Sequence, residues 1–121
     1  MNLPRARHPG LRLRTAWPAQ HAVLVTARGD LDSATAVDLG TLLTDRLWAR
    51  PERLTVDLSR VDFLGVAGIR VLLHAALQAA QAGTELLVVT GANPIVRRAL
   101  RVTGADRRLT LTGHQPAPAP A

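Results

Sequence analysis

The chain of 121 residues has no cysteine, no tyrosine and no lysine, and its aromatic residues are one phenylalanine and two tryptophans. Without cysteine there is no disulfide, no thiolate metal site and no cysteine nucleophile, a usage that fits a reducing compartment. With aromatics at 2% and apolar residues at 47%, the core has to be built from Leu, Val, Ile and Ala. No apolar run approaches the roughly 20 residues that span a bilayer. The basic opening stretch, 1–14, lacks the apolar centre of a secretory signal, so a cytoplasmic location is the expectation. All 15 basic residues are arginine, against 9 acidic ones, giving a formal net charge of +6. That balance permits anionic partners. The arginines are spread along the chain, however, and accompany abundant Ala and Pro, which reads as a compositional trait.

What is present is one domain of alternating elements. Residues 1–10 read as a flexible arm, 11–113 as the folded domain and 114–121 as a Pro/Ala-rich disordered tail. Residues 11–15 alternate as a half-exposed strand, and Trp17-Pro18 breaks it. A more apolar strand follows over 21–28, paired antiparallel with the first. Asp32 or Ser33 suits the N-cap of a helix reaching Ala49, with Ala36, Leu39, Leu43 and Leu47 on its buried face. Arg50-Pro51 ends that helix, because the residue before proline disfavours helical geometry. A buried strand over 53–58 leads through the connection Gly65-Val66-Ala67-Gly68 into a second helix, to Ala82. Its predicted buried stripe is Ile69, Leu72, Leu73, Ala76, Leu77 and Ala80, and Gly83 is a natural stop. Residues 86–89 read as a strand covered on both faces. Asn93-Pro94 starts a third helix carrying Ile95, Val96, Ala99, Leu100 and Val102, and 109–112 forms a short last strand. The order β-β-α-β-α-β-α-β, with right-handed crossovers, predicts an α/β fold: a mixed sheet of four or five strands with about three helices on one face.

The chemistry-bearing residues give little sign of catalysis. The strand-to-helix connection displays a helix N-terminus, yet it carries no hydroxyl, thiol, carboxylate or imidazole, so it points to recognition. His8, His21, His74 and His114 lack the spacing of metal ligands, and no metal or cofactor is expected. The 65–68 turn lacks the Lys-Ser/Thr and the full glycine spacing of phosphate-binding loops. Asp30, Asp32, Asp57 and Asp62 fall near strand ends. Asp32 has a capping role, and Asp57 can accept from backbone donors in the turn that follows it. Arg97, Arg98, Arg101, Arg107 and Arg108 could contact phosphate backbones, but no aromatic stacking platform accompanies them. Arg70, His74 and Gln78 are spaced by four and line one edge of the second helix. That edge begins at the turn, so turn and edge together read either as a contiguous docking surface or as an ordinary solvent face.

The segments Arg28-Gly29-Asp30-Leu31-Asp32-Ser33, Thr55-Val56-Asp57-Leu58-Ser59 and Phe63-Leu64-Gly65-Val66-Ala67-Gly68-Ile69-Arg70, with the Asn93-Pro94 helix start, resemble the STAS domain family. The resemblance runs from about Leu11 to Thr112. It implies a regulatory protein–protein interaction domain of the anti-sigma factor antagonist type, acting in transcription control and not as an enzyme. The implied partner is an anti-sigma factor or a serine kinase of the histidine-kinase fold, with a homodimer as a further arrangement and nucleic acid disfavoured. Resemblance and helix spacing together give the expected partner surface: Asp30, Asp32, Ser33, Gly65, Val66, Ala67, Gly68, Arg70 and His74. The family's turn reads Asp-Ser-Ser/Thr-Gly or a close variant, and phosphorylation at its third position blocks partner binding. Here Ala67 stands at that position, so no phosphorylation is expected there. The alternatives are a nucleic-acid-binding protein using the arginine-rich third helix, and a ligand-sensing or transporter-associated STAS module.

Overall fold

The computed structural model describes residues 10–115. The expected arm over 1–9, with His8, and the tail over 116–121 lie outside the described residues. A five-stranded sheet has the order β1 (Leu11–Ala19), β2 (Ala22–Leu31), β3 (Arg53–Leu64), β4 (Glu85–Val89) and β5 (Leu111–Thr112). β1 is antiparallel to β2, and the remaining neighbours are parallel. The parallel strands are joined by α1 (Ala36–Trp48), α2 (Val66–Ala82) and α3 (Pro94–Val102). Each crossover advances one strand in the same direction. Right-handed connections therefore put all three helices on one face, as expected from the element order.

The strand residues facing the helices are fully buried aliphatics: Val25 and Ala27 on β2, Leu54, Val56 and Leu58 on β3, Val88 on β4. They meet Leu39 and Leu43 of α1, Leu72 of α2, and Val96 and Leu100 of α3. No aromatic side chain enters this core. Among the described residues no helix is long and apolar enough to cross a membrane.

Five local expectations need correction. β1 does not stop at Trp17-Pro18 but runs to Ala19, with its register shifting between Ala16 and Ala19. β1 is an edge strand, so the N–H that proline lacks was never needed by a neighbour. β3 extends to Leu64, six residues past Leu58. Its pairing with β2 slips twice, between Thr26 and Arg28 and between Gly29 and Asp30. The buried residues there, Leu58, Val61 and Leu64, fall three apart, a bulged spacing that does not alternate. On α2 the buried positions are Gly68, Ile69, Leu72, Ala75 and Ala79, while Leu77 and Ala80 are exposed. The helix thus turns its small residues inward, towards a close contact in which Val71 approaches Gly40 of α1. On α3 Ile95 and Val102 are exposed, leaving Val96 and Leu100 as its anchors. The last strand is only Leu111–Thr112, after a 3₁₀ turn at Ala105–Arg107.

Asn93 ties α3 to the sheet. Its Oδ1 accepts from the N–H groups of Ile95 (3.0 Å) and Val96 (3.3 Å), capping the helix ahead of Pro94. Its Nδ2 donates to the carbonyls of Ser59 (3.0 Å) and Val61 (2.7 Å). β4 pairs with β3 only as far as Asp57 and Val89. The Asn93 amide therefore takes over two β3 carbonyls where the neighbouring strand has ended.

Candidate docking surface

The start of α2 lies at the carboxyl ends of the parallel strands. The Gly65 N–H donates to Leu31 O at 2.9 Å. This bond brings the loop after β2 against the connection after β3, joining two segments more than thirty residues apart in sequence. Gly68 completes the approach. A Cβ there would stand 2.8 Å from Leu64 Cδ1 and 3.0 Å from Leu31 Cβ, so Gly68 is buried and acts in packing. The accessible part of the turn is Val66, 60% exposed, flanked by Gly65 and Ala67, which are both partly exposed. Arg70 and His74 are exposed one and two turns further along α2. They flank a shallow groove of about 190 Å³ against α1, lined also by Gly40, Leu43 and Val71.

The loop after β2 is held from within. Asp32 Oδ1 accepts from the N–H groups of Ala34 and Thr35, each at 2.9 Å, and Asp32 O accepts from Ala36 N–H. Asp32 thus caps the turn over 33–35 and not the helix: regular helix begins at Ala36 with Thr35 at its N-cap and no side-chain cap bond, so the helix cap expected at Asp32 or Ser33 is not formed. The Thr35 hydroxyl is buried, donating to Asp30 O at 2.6 Å and accepting from Asp32 N–H at 2.9 Å. Ser33 is exposed beside them. Asp57 Oδ1 accepts from Ser59 N–H as anticipated, and Oδ2 accepts from Gln115 Nε2 at 2.5 Å.

One surface residue was missed. Phe63 is half exposed, and its ring atoms would stand 3.0 and 3.3 Å from a Cβ at Gly65. The ring therefore lies over the glycine, and with Val66 it makes an apolar rim on the turn. Phe63 pairs with Asp30 across the bulged part of the sheet. The signal lay in the strand parity, which the two register slips conceal. Next to that pair, Arg12, Arg28 and Arg60 are direct neighbours across three strands, all exposed. Among the described residues none of the three makes an ion pair, an arrangement that favours an acidic partner.

The other candidates do not converge here. His21 and His114 are exposed at separate places, and among the described residues no three His, Asp or Glu side chains gather into a metal-binding group. Arg97, Arg98 and Arg101 are exposed on α3, with Arg107 and Arg108 beyond it. The turn presents a shaped, partly apolar surface without a nucleophile or base on it, which suits recognition.

A family model described as "Mlab, STAS domain" matches residues 13–116. The anti-sigma-F factor antagonist RsfA of Mycobacterium tuberculosis is 32% identical over 78 residues, 63% of this chain. The chain spans 61% of that relative's length. Among solved structures, an anti-sigma factor antagonist from Mycobacterium paratuberculosis superposes with a TM-score of 0.79 at 25% identity, covering 89% of this chain and 91% of that one. The Bacillus cell fate determinant SpoIIAA in its phosphorylated form shares the fold, with a TM-score of 0.65 at 11% identity over 84% of this chain and 91% of that one. The family model spans nearly the whole described chain, and the chain belongs to the STAS domain family.

Proposed function

We propose that this protein is an anti-sigma factor antagonist that works in the cytoplasm by protein–protein docking, without enzymatic activity. Its partner is an anti-sigma factor or a serine kinase of the histidine-kinase fold. The contact surface is the exposed turn Gly65, Val66 and Ala67, extended by Asp30 and Ser33 on one side and by Arg70 and His74 on the other. Asp32 and Gly68 support this surface by capping and packing. Phe63 and Val66 supply its apolar anchor, in keeping with the few buried side chains that dominate most interfaces. The observation that carries the reading is the rim position of Ala67. Ala67 is partly exposed there, and its methyl has no oxygen to accept a phosphoryl group.

In a relative with a serine at this position, phosphorylation would add roughly −1.5 to −2 charge to the rim. Here that off-switch is missing, and docking is constitutive with respect to the turn. The test is a pull-down from native lysate with mass spectrometry, followed by calorimetry with the purified anti-sigma factor. Wild type binds and Val66→Glu does not, with both folded by circular dichroism. Failure to recover any sigma-related or kinase-like protein, or equal binding by Val66→Glu, overturns the proposal.

A further inference from the structure

A cleft of about 390 Å³ opens at the carboxyl ends of β4 and β5, beside α3. Ligand sites in open α/β sheets gather at that edge, outside the carboxyl ends of the strands, and the volume lies in the range of small-molecule sites. Arg97 and Arg101 both line it, four residues apart and so on one side of α3. Among the described residues neither makes an ion pair. Asp106 is the single carboxylate in the lining and leaves a positive excess.

Apart from Leu111, the rest of the lining is small: two glycines and two threonines. Gly91 and Gly113 face the cleft, and among the described residues neither N–H donates to a carbonyl. Gly91 is fixed in the left-handed region at φ +60°, and a Cβ there would stand 2.9 Å from Ser59 Cβ. Its backbone is therefore held in place without a side chain. Gly113 has open space where a side chain would stand. Thr90 and Thr112 also line it, their hydroxyls donating to Gly91 O and His114 O. Guanidinium pairs with free backbone N–H groups match the several acceptor oxygens of a phosphate. No aromatic residue lines the cleft, so nothing there would stack on a nucleobase.

We propose that this cleft is a binding site for a phosphomonoester or diphosphate group carried by a small molecule. The inference does not rest on the docking reading, since the site uses β4, β5 and α3 instead of the α2 turn. Of the five arginines at the end of the chain, it assigns a role to Arg97 and Arg101 and leaves Arg107 and Arg108 outside.

The test is titration of the full chain with inorganic pyrophosphate, followed in amide nitrogen–proton spectra. The Gly91 and Gly113 signals should move most, and saturably. The paired substitution Arg97→Gln with Arg101→Gln should weaken binding by about tenfold or more, since charge-assisted hydrogen bonds are lost. Arg107→Gln with Arg108→Gln should leave binding within about twofold, since a diffuse charge change at exposed sites contributes little. Absence of saturation, shifts spread over all arginine-bearing surfaces, or equal weakening by both variants overturns the proposal. Sedimentation with phosphatidate vesicles then separates the two sources of the group. Wild-type binding to vesicles that pyrophosphate displaces identifies a lipid headgroup, and pyrophosphate binding without sedimentation identifies a soluble phosphate.

Discussion

Replacing Asn93 tests whether one side chain does the work of both a helix cap and a missing strand neighbour. Asn93→Ala removes the two acceptor bonds to Ile95 and Val96 and the two donor bonds to Ser59 and Val61. Loss of an Asn cap costs about 1 kcal/mol. Each carbonyl deprived of its donor costs a further ~0.5–1.5 kcal/mol, the net worth of a typical intramolecular hydrogen bond. The sum is about 2–4 kcal/mol, or roughly 10 °C in Tm for a chain of this size. Asn93→Asp separates the two functions. It keeps the acceptor and puts a negative charge at the start of α3, which is favourable by itself. It also turns a carboxylate oxygen towards two carbonyls, so it should lose about as much as Asn93→Ala. Urea unfolding followed by far-UV circular dichroism measures both. If Asn93→Asp is as stable as wild type, the bonds to β3 contribute nothing and the strand-neighbour argument fails. If Asn93→Ala loses less than about 0.5 kcal/mol, the cap argument fails with it.

Gly68→Ala should destabilise by about 1–3 kcal/mol through overpacking against Leu31 and Leu64, exceeding the gain in helix propensity of at most ~1 kcal/mol; a stability equal to or above wild type in the same urea assay would contradict it. Arg28→Thr relieves like charges on both sides, from Arg12 and Arg60. It should raise stability by ~0.2–1 kcal/mol, with the gain shrinking at high salt, and it should slow association with an acidic partner. Incubated with the cognate kinase and labelled ATP, the natural chain should take up no phosphate at the turn, whereas Ala67→Ser should gain it. Label found at Ser33 in the natural chain would show that switching has moved instead of being lost.

The element order, the parallel core strands and the Asn-Pro helix start were legible because each follows from local pattern: runs of aliphatics, a cap residue, a glycine stop. The second half of β3 was not, since its buried residues recur every third position. Alternation is the signal of a regular strand, and two slips against β2 erase it. Phe63 was hidden for the same reason, its side decided by a bulge whose partner lies thirty residues earlier. Pro18 read as a break because sequence does not reveal that its strand has only one neighbour. On α2, hydrophobicity favoured Leu77 over Ala75 and Ala79. The approach of α1 to α2, where Gly40 meets Val71, is set by tertiary packing that hydrophobicity alone does not reveal. The site was readable as two motifs, but their meeting depends on the Gly65–Leu31 bond. Asp32 also bonds within its own loop and Gly68 packs against Leu31 and Leu64, roles that depend on the folded geometry.

All three aromatic side chains sit on the outside: Trp17 at 63% exposure, Trp48 at 87% and Phe63 at 50%. Indole emission will accordingly report solvated rings before and after denaturation, so melting of this aliphatic interior should be almost silent in fluorescence. The same rings are well placed as natural reporters of whatever settles on the surface. Trp17, with the Arg46 guanidinium 5.7 Å from its centroid, and the bare Trp48 should respond differently to quenchers. Light emitted by this protein will therefore describe its visitors better than its own stability.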